Sequence, residues 1–358
     1  MFPPAPPPAI TPPAAALPDL PRSLATARPR PALSVVVPCY NEEATLPLLH
    51  ARVSAAARAA VGDDHEIVLV NDGSRDGSWA AMQRLAAADP RVVAINLSRN
   101  HGHQLALTAG LDLCAGEQIL IIDADLQDPP ELLADMRTVM ARDGADVVYA
   151  VRRKREGETF FKKATAAAFY RVLDRVTDTP IPLDTGDFRL MTRRALDALL
   201  SLPEQARFIR GMVAWVGFRQ VPFAYDRAER HAGETNYPLA KMMRLALDAV
   251  TGFSTAPLRW ASHLSVMLAG CSLLLLVYIG YGYFSGERVQ GWTSTMLVVV
   301  VLSAIQMFVL GMIGEYLGRL YIEAKRRPLY LIADVAGTPG SRATLGFQAT
   351  LPGERVGV

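Results

Sequence analysis

The sequence is poor in cysteine, carries almost no net charge and lacks several common motifs. Its three cysteines are scattered over 358 residues without a CxxC pair, which argues against a disulfide framework or a zinc knuckle and suits a reducing compartment. A net charge of +2 gives no electrostatic footprint for nucleic acid, so we expect no nucleic-acid partner. No GxGxxG motif follows the first predicted strand, which argues against a dinucleotide enzyme. We also expect no cleaved secretory signal, because no charged segment followed by an apolar run opens the sequence.

Short apolar runs rich in β-branched residues alternate with helical patterns after a beginning that is rich in proline and alanine. Residues 1–32 predict a disordered tail, and residues 33–237 predict one domain. The predicted strands of this domain are Leu33–Pro38, Glu66–Val70, Val92–Leu97, Gln118–Asp123 and Val147–Val151. Strands that alternate with helices predict an α/β fold with a mostly parallel, doubly wound sheet and right-handed crossovers.

Polar residues follow three of these strands at the point where each strand ends. They are Cys39–Glu42 after the first strand, Asn71–Ser74 after the second and Asp123–Asp125 after the fourth. Any one of these sets fits a turn or a helix N-cap. Sheets of this kind bind ligands beyond the carboxyl ends of their strands, so the three sets together predict a binding site at that edge.

Two segments in the last third of the sequence contain no Asp, Glu, Lys or Arg. They are Trp260–Gly286 and Val289–Gly314, and each exceeds the roughly 20 apolar residues that cross a bilayer core as a helix. We therefore predict two transmembrane helices, at about 260–285 and 290–315, that form a hairpin over residues 257–320. A pair of long buried helices is the alternative.

Basic residues are concentrated before the first predicted helix and after the second, whereas Arg288 is the one basic residue in the short connector between them. The positive-inside rule then places both termini and the α/β domain in the cytoplasm. Residues 238–256 predict an amphipathic helix lying in the membrane interface, with an ordinary core-facing helix as the alternative. We expect residues 321–358 to form a cytoplasmic C-terminal tail.

Two carboxylates one residue apart end the fourth predicted strand. Asp123 and Asp125 concentrate negative charge that a divalent cation would offset, and oxygen ligands favour Mg²⁺ or Mn²⁺. Gln127 could add an amide oxygen or orient a water. Such a cation would bridge a diphosphate and neutralise the leaving group. At the end of the second strand, Asp72 could accept hydrogen bonds from a nucleobase, and Gly73 would let the backbone come close.

Further charged residues could complete this site. The run Arg152–Arg155 is either a phosphate contact or a solvated face, and Arg227 and Arg230 precede the predicted interfacial helix. Arginine grips phosphate with two parallel hydrogen bonds. Asp184 and Asp187 could act as a general base, hold substrate hydroxyls or lie in a turn that caps the next helix.

The chemistry of a phosphate acceptor limits what these groups need to do. The second pKa of a phosphate group lies near about 6, so such an acceptor is largely ionised at neutral pH. It requires positioning and charge shielding more than deprotonation. His101 and His103 are as compatible with a structural role in a loop as with catalysis.

A set of motifs between about residue 34 and residue 327 carries a family resemblance. The motifs are SVVVPCYNEE, LVNDGSRDGS, LSRNHGHQLA, IDADLQDPPE, DTGDFRLM, RGMVAWVGF, ERHAGETNYP, FSTAPLR and GEYLGRLY. The chain resembles a family 2 glycosyltransferase of the polyprenyl-phosphate hexose synthase group, which includes dolichol-phosphate mannose synthase and bactoprenol glucosyltransferases. The resemblance implies a GT-A fold, inversion at the anomeric carbon and a Mg²⁺ or Mn²⁺ cofactor.

The resemblance also implies roles for individual residues. Contacts to the nucleotide-sugar would come from Pro38, Tyr40, Glu42, Asp72, Asp123 and Ala124. Contacts to the metal and the diphosphate would come from Asp123, Asp125 and Gln127. Contacts to phosphate or acceptor would come from Arg152, Arg153, Arg189, Arg227 and Arg230. The catalytic residues near the reacting sugar would be Asp184, Asp187 and Asp125. The family often has lysine where this sequence has Asn236, so the phosphate contacts of this loop would shift to Arg227 and Arg230.

We therefore expect an enzyme that transfers a hexose, glucose from UDP-glucose, to undecaprenyl phosphate on the cytoplasmic leaflet of a bacterial inner membrane. A flippase and a downstream transferase would be partners, and the hairpins could assemble into a homo-oligomer. One alternative is a processive polysaccharide synthase, which normally needs more membrane helices and a QxxRW motif that Arg210–Trp215 does not match. The other is a non-catalytic membrane protein that binds nucleotide-sugar, which the intact Asp123–Asp125 pair and Arg230 disfavour.

Overall fold

A mixed sheet with helices on both faces organises the first two thirds of the chain. The structure, a computed structural model, describes residues 30–152, 185–225, 256–285 and 291–337. The predicted N-terminal tail lies outside the described residues up to residue 29, and the predicted interfacial helix lies outside them up to residue 255.

The described residues form strands and helices in regular alternation at first and in mixed order later. The strands are β1 (Leu33–Cys39), β2 (His65–Asn71), β3 (Val92–Leu97), β4 (Gln118–Ile121), β5 (Val147–Arg152), β6 (Thr185–Thr192), β7 (Gln220–Tyr225) and β8 (Ile332–Ala336). The helices are α1 (Leu46–Val61), α2 (Ser78–Ala88), α3 (His103–Leu113), α4 (Leu133–Asp143), α5 (Arg193–Leu200), α6 (Ile209–Val216), α7 (Ala256–Phe284) and α8 (Trp292–Lys325). A 3₁₀ turn, Pro130–Leu132, precedes α4.

The strands form one eight-stranded sheet in the order β7-β5-β6-β4-β1-β2-β3-β8. Strand β1 pairs in parallel with β2 and β4, β2 with β3, and β5 with β7. Strand β6 runs antiparallel between β4 and β5, and β8 runs antiparallel along β3 at the edge. The predicted α/β fold with a mostly parallel sheet is confirmed, with β6 and β8 as antiparallel additions.

Burial on both faces explains the continuous apolar runs of the central strands. All seven residues of β1 are buried. Val35 and Val37 pack in the layer formed by α1, α2 and α4, whereas Val36 packs in the layer formed by α3, α5 and α6. Parallel strands that helices cover on both faces carry nearly continuous runs of apolar side chains. This is why β1 to β5 could be located from the sequence.

Helix α3 lies very close to the sheet at Gly110. A Cβ atom at this position would lie 2.4 Å from Val36 Cγ1 and 3.0 Å from Val70 Cγ2. Only the absence of a side chain permits this approach of the helix to β1 and β2. Because α3 begins at His103, just after the carboxyl end of β3, the same packing fixes where its first turn meets that edge.

Strand β6 gives the segment around Asp187 a different structure from the turn considered in the sequence analysis. Thr185–Thr192 is hydrogen-bonded to β4 on one side and to β5 on the other. The helix cap comes at the end of the strand instead, where the Thr192 hydroxyl accepts a hydrogen bond of 3.3 Å from the Ala195 amide. Asp187 therefore lies inside the sheet and not in a connecting turn.

Two long helices follow residue 255. Helix α7 has 29 residues and α8 has 34, and they contact each other. Within the described residues, one stretch is long and apolar enough to cross a membrane. It is Val298–Lys325 of α8, with a mean hydropathy of 2.1 and none of its apolar window buried. The described part of α7 contains no second such stretch, so the two-helix transmembrane hairpin remains a prediction.

The chain after α8 returns to the sheet. The Tyr330 hydroxyl donates a hydrogen bond of 2.8 Å to Asp112 at the end of α3, and β8 then pairs with β3. On α8, the Glu323 carboxylate accepts a hydrogen bond of 2.7 Å from the backbone N–H of Gln205. Residues 321–337, which the sequence analysis assigned to a C-terminal tail, thus belong to α8 and to the edge of the sheet. No pattern in the sequence predicted this strand.

We expect Gly110→Ala to destabilise the protein, because the new methyl group would overlap Val36. Overpacking of a core costs about 1–3 kcal/mol, so the thermal unfolding midpoint of the detergent-purified protein should fall by several degrees. Gly270→Ala is the matched control, since nothing lies within 4 Å of a Cβ atom there. An unchanged midpoint for Gly110→Ala would contradict the close approach of α3.

Candidate active site

Hydrogen bonds join the loops that follow β1 and β2 into one rim. The Asn41 amide donates to the Ser74 hydroxyl (2.9 Å), and the Arg75 amide donates to the Asn41 side-chain oxygen (2.8 Å). The Glu42 amide donates to the Ser78 hydroxyl at 2.8 Å. Asn41 adopts a left-handed conformation with φ 56°, which asparagine tolerates better than most residues. Neither loop can move without the other.

Asp72, predicted to contact a nucleobase, is committed to the backbone of a neighbouring loop. Its two carboxylate oxygens accept hydrogen bonds from the amides of His101 (2.7 Å) and Gly102 (2.9 Å). Burial raises the pKa of Asp72, and these two hydrogen bonds oppose the increase. Beside it, Gly73 has φ +62°, and a Cβ atom there would lie 2.5 Å from the Arg99 carbonyl carbon. The residue pair therefore holds the loop after β3 against the loop after β2.

The other predicted nucleotide contacts differ in accessibility. Pro38 is buried within β1, opposite Val70 of β2. Ala124 is also buried, with 4% of its surface exposed. Tyr40, which is 42% exposed, and the half-buried Glu42 can present side-chain atoms to a ligand. Pro38 and Ala124 would act only by shaping the backbone.

The loop after β4 carries Asp123 and Asp125 and is held in a strained conformation. Leu126 has φ 58° although its side chain is 2% exposed. A bulky residue in the left-handed region is energetically unfavourable and persists only where its surroundings enforce it. The backbone N–H of Gln127 donates a hydrogen bond of 3.1 Å to Asp125 Oδ1. Strain of this kind clusters at functional sites, and this loop is therefore a candidate for one.

Asp123 is the most electrostatically costly carboxylate of the site. Burial, together with the charges of Asp187, Asp128 and Asp125, raises its pKa to about 6, against the opposing influence of His103. Its Oδ1 atom is buried and has no hydrogen-bond partner among the described residues. A buried carboxylate oxygen with no donor and several acidic neighbours is suited to a divalent cation. Carboxylate oxygens are ligands that suit Mg²⁺ or Mn²⁺.

Asp187 has the opposite environment, although it lies beside Asp123. Arg210 donates to both of its oxygens at 2.9 and 3.3 Å, and Gln104 donates to one of them at 3.1 Å. His103 Nε2 lies 3.0 Å from Asp187 Oδ2, and the buried Arg189 lies 3.8 Å from Oδ1.

The charge state of Asp187 follows from these contacts. Burial raises the pKa of Asp187, but the hydrogen bond to His103 and the charges of Arg210 and Arg189 outweigh it and hold the pKa well below its usual range. The carboxylate is therefore ionised at neutral pH, and such a weak base is poorly suited to remove a proton. This geometry favours a positioning role over the predicted role of general base.

His103 connects the two carboxylates. Its Nε2 atom lies 3.6 Å from Asp123 Oδ1 and 3.0 Å from Asp187 Oδ2, and its side chain is 43% exposed. Burial lowers the pKa of His103, but the hydrogen bond to Asp187 and the charge of Asp123 raise it above its ordinary value. The ligand atoms of all three residues lie within 4.8 Å of one another and could hold a metal ion. Because two arginines already compensate Asp187, Asp123 is the member with an available oxygen.

The structure describes two of the five predicted contacts to phosphate or acceptor, Arg152 and Arg189. Arg189 is 3% exposed and donates to the backbone oxygens of Gly186 (3.1 Å) and Asp187 (3.3 Å). Burial lowers its pKa to about 10. It supports Asp187 from within the fold, and this corrects the predicted contact to phosphate. Arg152 is the last residue of β5. Four predicted residues lie outside the described part of the chain: Arg153, Asp184, Arg227 and Arg230.

Two residues of the site were not predicted, namely Gln104 and Arg210. Gln104 uses both ends of its amide: Nε2 donates to Asp187, and Oε1 accepts a hydrogen bond of 2.9 Å from the Ile209 amide. Arg210 follows directly at the start of α6. Both residues lie in motifs used to define the family resemblance, but no local pattern identifies their partner. Only the pairing of distant segments brings them to Asp187.

The chain has clear relatives among known proteins. The sequence pattern of Glycosyl transferase family 2 matches residues 34–200. "Uncharacterized glycosyltransferase YkcC" of Bacillus subtilis (strain 168) is 46% identical over 86% of this chain and 95% of the relative. "Prophage bactoprenol glucosyl transferase homolog" of Escherichia coli (strain K12) is 37% identical over 85% of this chain and 99% of the relative. "Bactoprenol glucosyl transferase" of Shigella phage SfV is 36% identical over 84% and 97%.

The raised pKa of Asp123 predicts a pH-dependent effect of removing its charge. The cost of ionising this group in the folded protein is absent below its ordinary pKa of 3.8, grows as the pH rises to about 6 and is complete above that pH. We therefore expect Asp123→Asn to stabilise the protein in EDTA above this range, by roughly 1–3 kcal/mol. The advantage should vanish near the ordinary pKa. Thermal unfolding across the pH range measures it.

Mn²⁺ should reverse this order, since it would stabilise the natural protein and leave Asp123→Asn unchanged. Asp135→Asn, on the exposed surface of α4, is the control and should change neither result. A variant that is less stable than the natural protein at every pH would contradict the electrostatic description of Asp123.

Proposed function

Because the chain belongs to glycosyl transferase family 2 and is a glycosyltransferase, we propose that it transfers glucose from UDP-glucose to undecaprenyl phosphate with inversion at C1. The relatives named bactoprenol glucosyl transferase, which match nearly their whole length, support this acceptor and this sugar. The observation that carries the proposal is Asp123, which follows the end of β4 and whose buried Oδ1 atom has no hydrogen-bond donor among the described residues.

The donor would lie across the rim formed by the loops after β1, β2 and β4. Tyr40 and Glu42 offer accessible side chains for the nucleoside, and Asp72 orders the loop that closes this side of the site. Asp123 and Asp125 would hold Mg²⁺ or Mn²⁺, with Gln127 nearby. When bound, this cation supplies charge neutralisation for the leaving diphosphate.

The acceptor needs orientation more than activation. A lipid phosphate with a second pKa near about 6 is largely ionised at neutral pH, so one of its oxygens can attack C1 opposite the leaving UDP. Asp187 stays ionised and, through its hydrogen bond, orients His103. The half-exposed His103 ring would present a donor to the anionic centre. Asp184, Arg227 and Arg230 lie outside the described residues, and their predicted roles as catalytic and acceptor-binding residues remain predictions.

The membrane would hold the enzyme at the height of its lipid substrate. Helix α8 provides one apolar stretch long enough to cross a bilayer, and α7 would complete a two-helix hairpin in a bacterial cytoplasmic membrane. The catalytic domain and both termini would lie in the cytoplasm, where UDP-glucose is made. A flippase and a second transferase would then use the product, and association of hairpins would give a homo-oligomer.

We expect membranes that contain the full-length protein to convert radiolabelled UDP-glucose and undecaprenyl phosphate into an acid-labile glycolipid. The reaction should require Mg²⁺ or Mn²⁺, and Asp125→Ala should reduce it to background because a metal ligand is lost. Asp135→Ala, on the exposed surface of α4, should keep full activity. A panel of nucleotide-sugars tests the donor in the same assay.

Two results would count against different parts of this proposal. Full activity of Asp125→Ala would refute the metal assignment and leave the reaction in place. No lipid product from any nucleotide-sugar would refute the reaction itself.

Asp187→Asn tests positioning against general-base catalysis. We expect kcat to fall about a hundredfold, as for loss of a preorganised polar group. The acidic limb of the pH–rate profile should stay in place, because the acceptor phosphate and Asp123 both titrate at about pH 6, whereas the pKa of Asp187 is far lower. Asp197→Asn, on the exposed surface of α5, is the control. Disappearance of the acidic limb in Asp187→Asn would instead identify Asp187 as the base.

A further inference from the structure

A buried tyrosine anchors the loop that carries the metal-binding carboxylates. The hydroxyl of Tyr225, the last residue of β7, donates a hydrogen bond to the carboxylate of Asp128. The two side chains belong to residues that are 4% and 0% exposed, so water does not compete for this bond. Asp128 closes the loop that begins at Asp123. The hydrogen bond therefore ties the far end of that loop to β7, the edge strand three positions from β4 in the sheet.

The loop needs such a restraint because its backbone is strained. Leu126 lies between Asp125 and Asp128 with φ 58°, an unfavourable conformation for a bulky side chain. A residue of this kind relaxes unless the surrounding structure holds both ends of its segment. β4 holds one end, through its pairing with β1 and β6. Tyr225 holds the other end.

Packing fixes the tyrosine itself. Its ring meets the buried Phe188 edge to face, with centroids 5.8 Å apart and an interplanar angle of 70°. Phe188 belongs to β6, next to Asp187 and on the other face of the strand. Tyr225 is also in register with Arg152 of the neighbouring β5. The Tyr225 side chain thus contacts both the loop of Asp123–Asp128 and the strand of Asp187.

We propose that Tyr225 and Asp128 are a positioning pair that holds the loop of Asp123 and Asp125 in the conformation that binds a divalent cation. This inference rests on the metal-dependent function proposed above. It assigns no contact with substrate to either residue: both act through the loop. Groups that orient metal ligands commonly contribute about 10–100-fold to metal affinity.

Tyr225→Phe isolates the hydrogen bond, because it keeps the ring, its contact with Phe188 and the charge of Asp128. We expect the Kd of the full-length, detergent-purified protein for Mn²⁺ to rise about tenfold, measured by electron paramagnetic resonance of free Mn²⁺ in the presence of UDP. The maximal rate at saturating Mn²⁺ should change less than the Mn²⁺ concentration needed for half-maximal rate.

Tyr330→Phe is the matched control. It removes another tyrosine-to-aspartate hydrogen bond, at the solvent-exposed Asp112 (2.8 Å) near the end of α3. We expect its Mn²⁺ affinity to equal that of the natural protein. An equal loss of affinity in both variants would show a general effect on folding and would overturn the proposal.

Asp128→Asn separates positioning from simple charge attraction. An asparagine oxygen can still accept the hydrogen bond of Tyr225 but brings no negative charge. If positioning is correct, Asp128→Asn weakens Mn²⁺ binding less than Tyr225→Phe does. The reverse order, or Mn²⁺ affinity of Tyr225→Phe within twofold of the natural protein, would refute the pair. Because Mn²⁺ binding is measured directly, a natural protein that binds Mn²⁺ but makes no glycolipid would refute the proposed reaction and not this inference.

Discussion

Carboxylates packed at the carboxyl edge of the sheet impose the main electrostatic constraint on this protein. Asp123, Asp125 and Asp128 follow one another within six residues, and Asp187 lies beside them on the adjacent strand β6. Like charges in a partly desolvated site are costly unless cations or hydrogen bonds compensate them. This electrostatic cost is offset by arginine, histidine and tyrosine side chains and, in the proposed function, by a divalent cation.

Two neighbouring carboxylates meet that cost in different ways. Asp187 is compensated permanently, by Arg210, Arg189 and Gln104, and its pKa is held far below the usual range. Asp123 keeps a buried oxygen that has no hydrogen-bond donor among the described residues, and its pKa is raised to about 6. Fixed compensation suits a residue that must hold a constant geometry. An oxygen without a hydrogen-bond donor suits the binding of a cation that enters and leaves with the nucleotide-sugar.

One short segment of the chain, residues 205–210, contacts both the long apolar helix α8 and the candidate active site. The backbone N–H of Gln205 donates a hydrogen bond to the Glu323 carboxylate near the end of α8, and five residues later Arg210 contacts Asp187. After α8 the chain turns back, and β8 joins the edge of the sheet beside β3. The end of the helix is therefore attached to the catalytic domain at two places, through side-chain contact and through a strand. This attachment gives the domain a defined orientation relative to the helix.

The sequence by itself determined the first five strands, the helices between them and the polar strand ends, because continuous β-branched runs and helical periodicity are local properties. It also located Asp123, since two carboxylates after a buried strand are unusual wherever that strand lies. Tertiary structure alone decided the place of β6 between β4 and β5, the return of β8 and the residues that surround Asp187. Gln104 and Arg210 lie 83 and 23 residues from Asp187 along the chain. Burial and charge at a site depend on which distant segments meet there, so the sequence shows the carboxylates while only the fold decides which one is compensated and which one stays available.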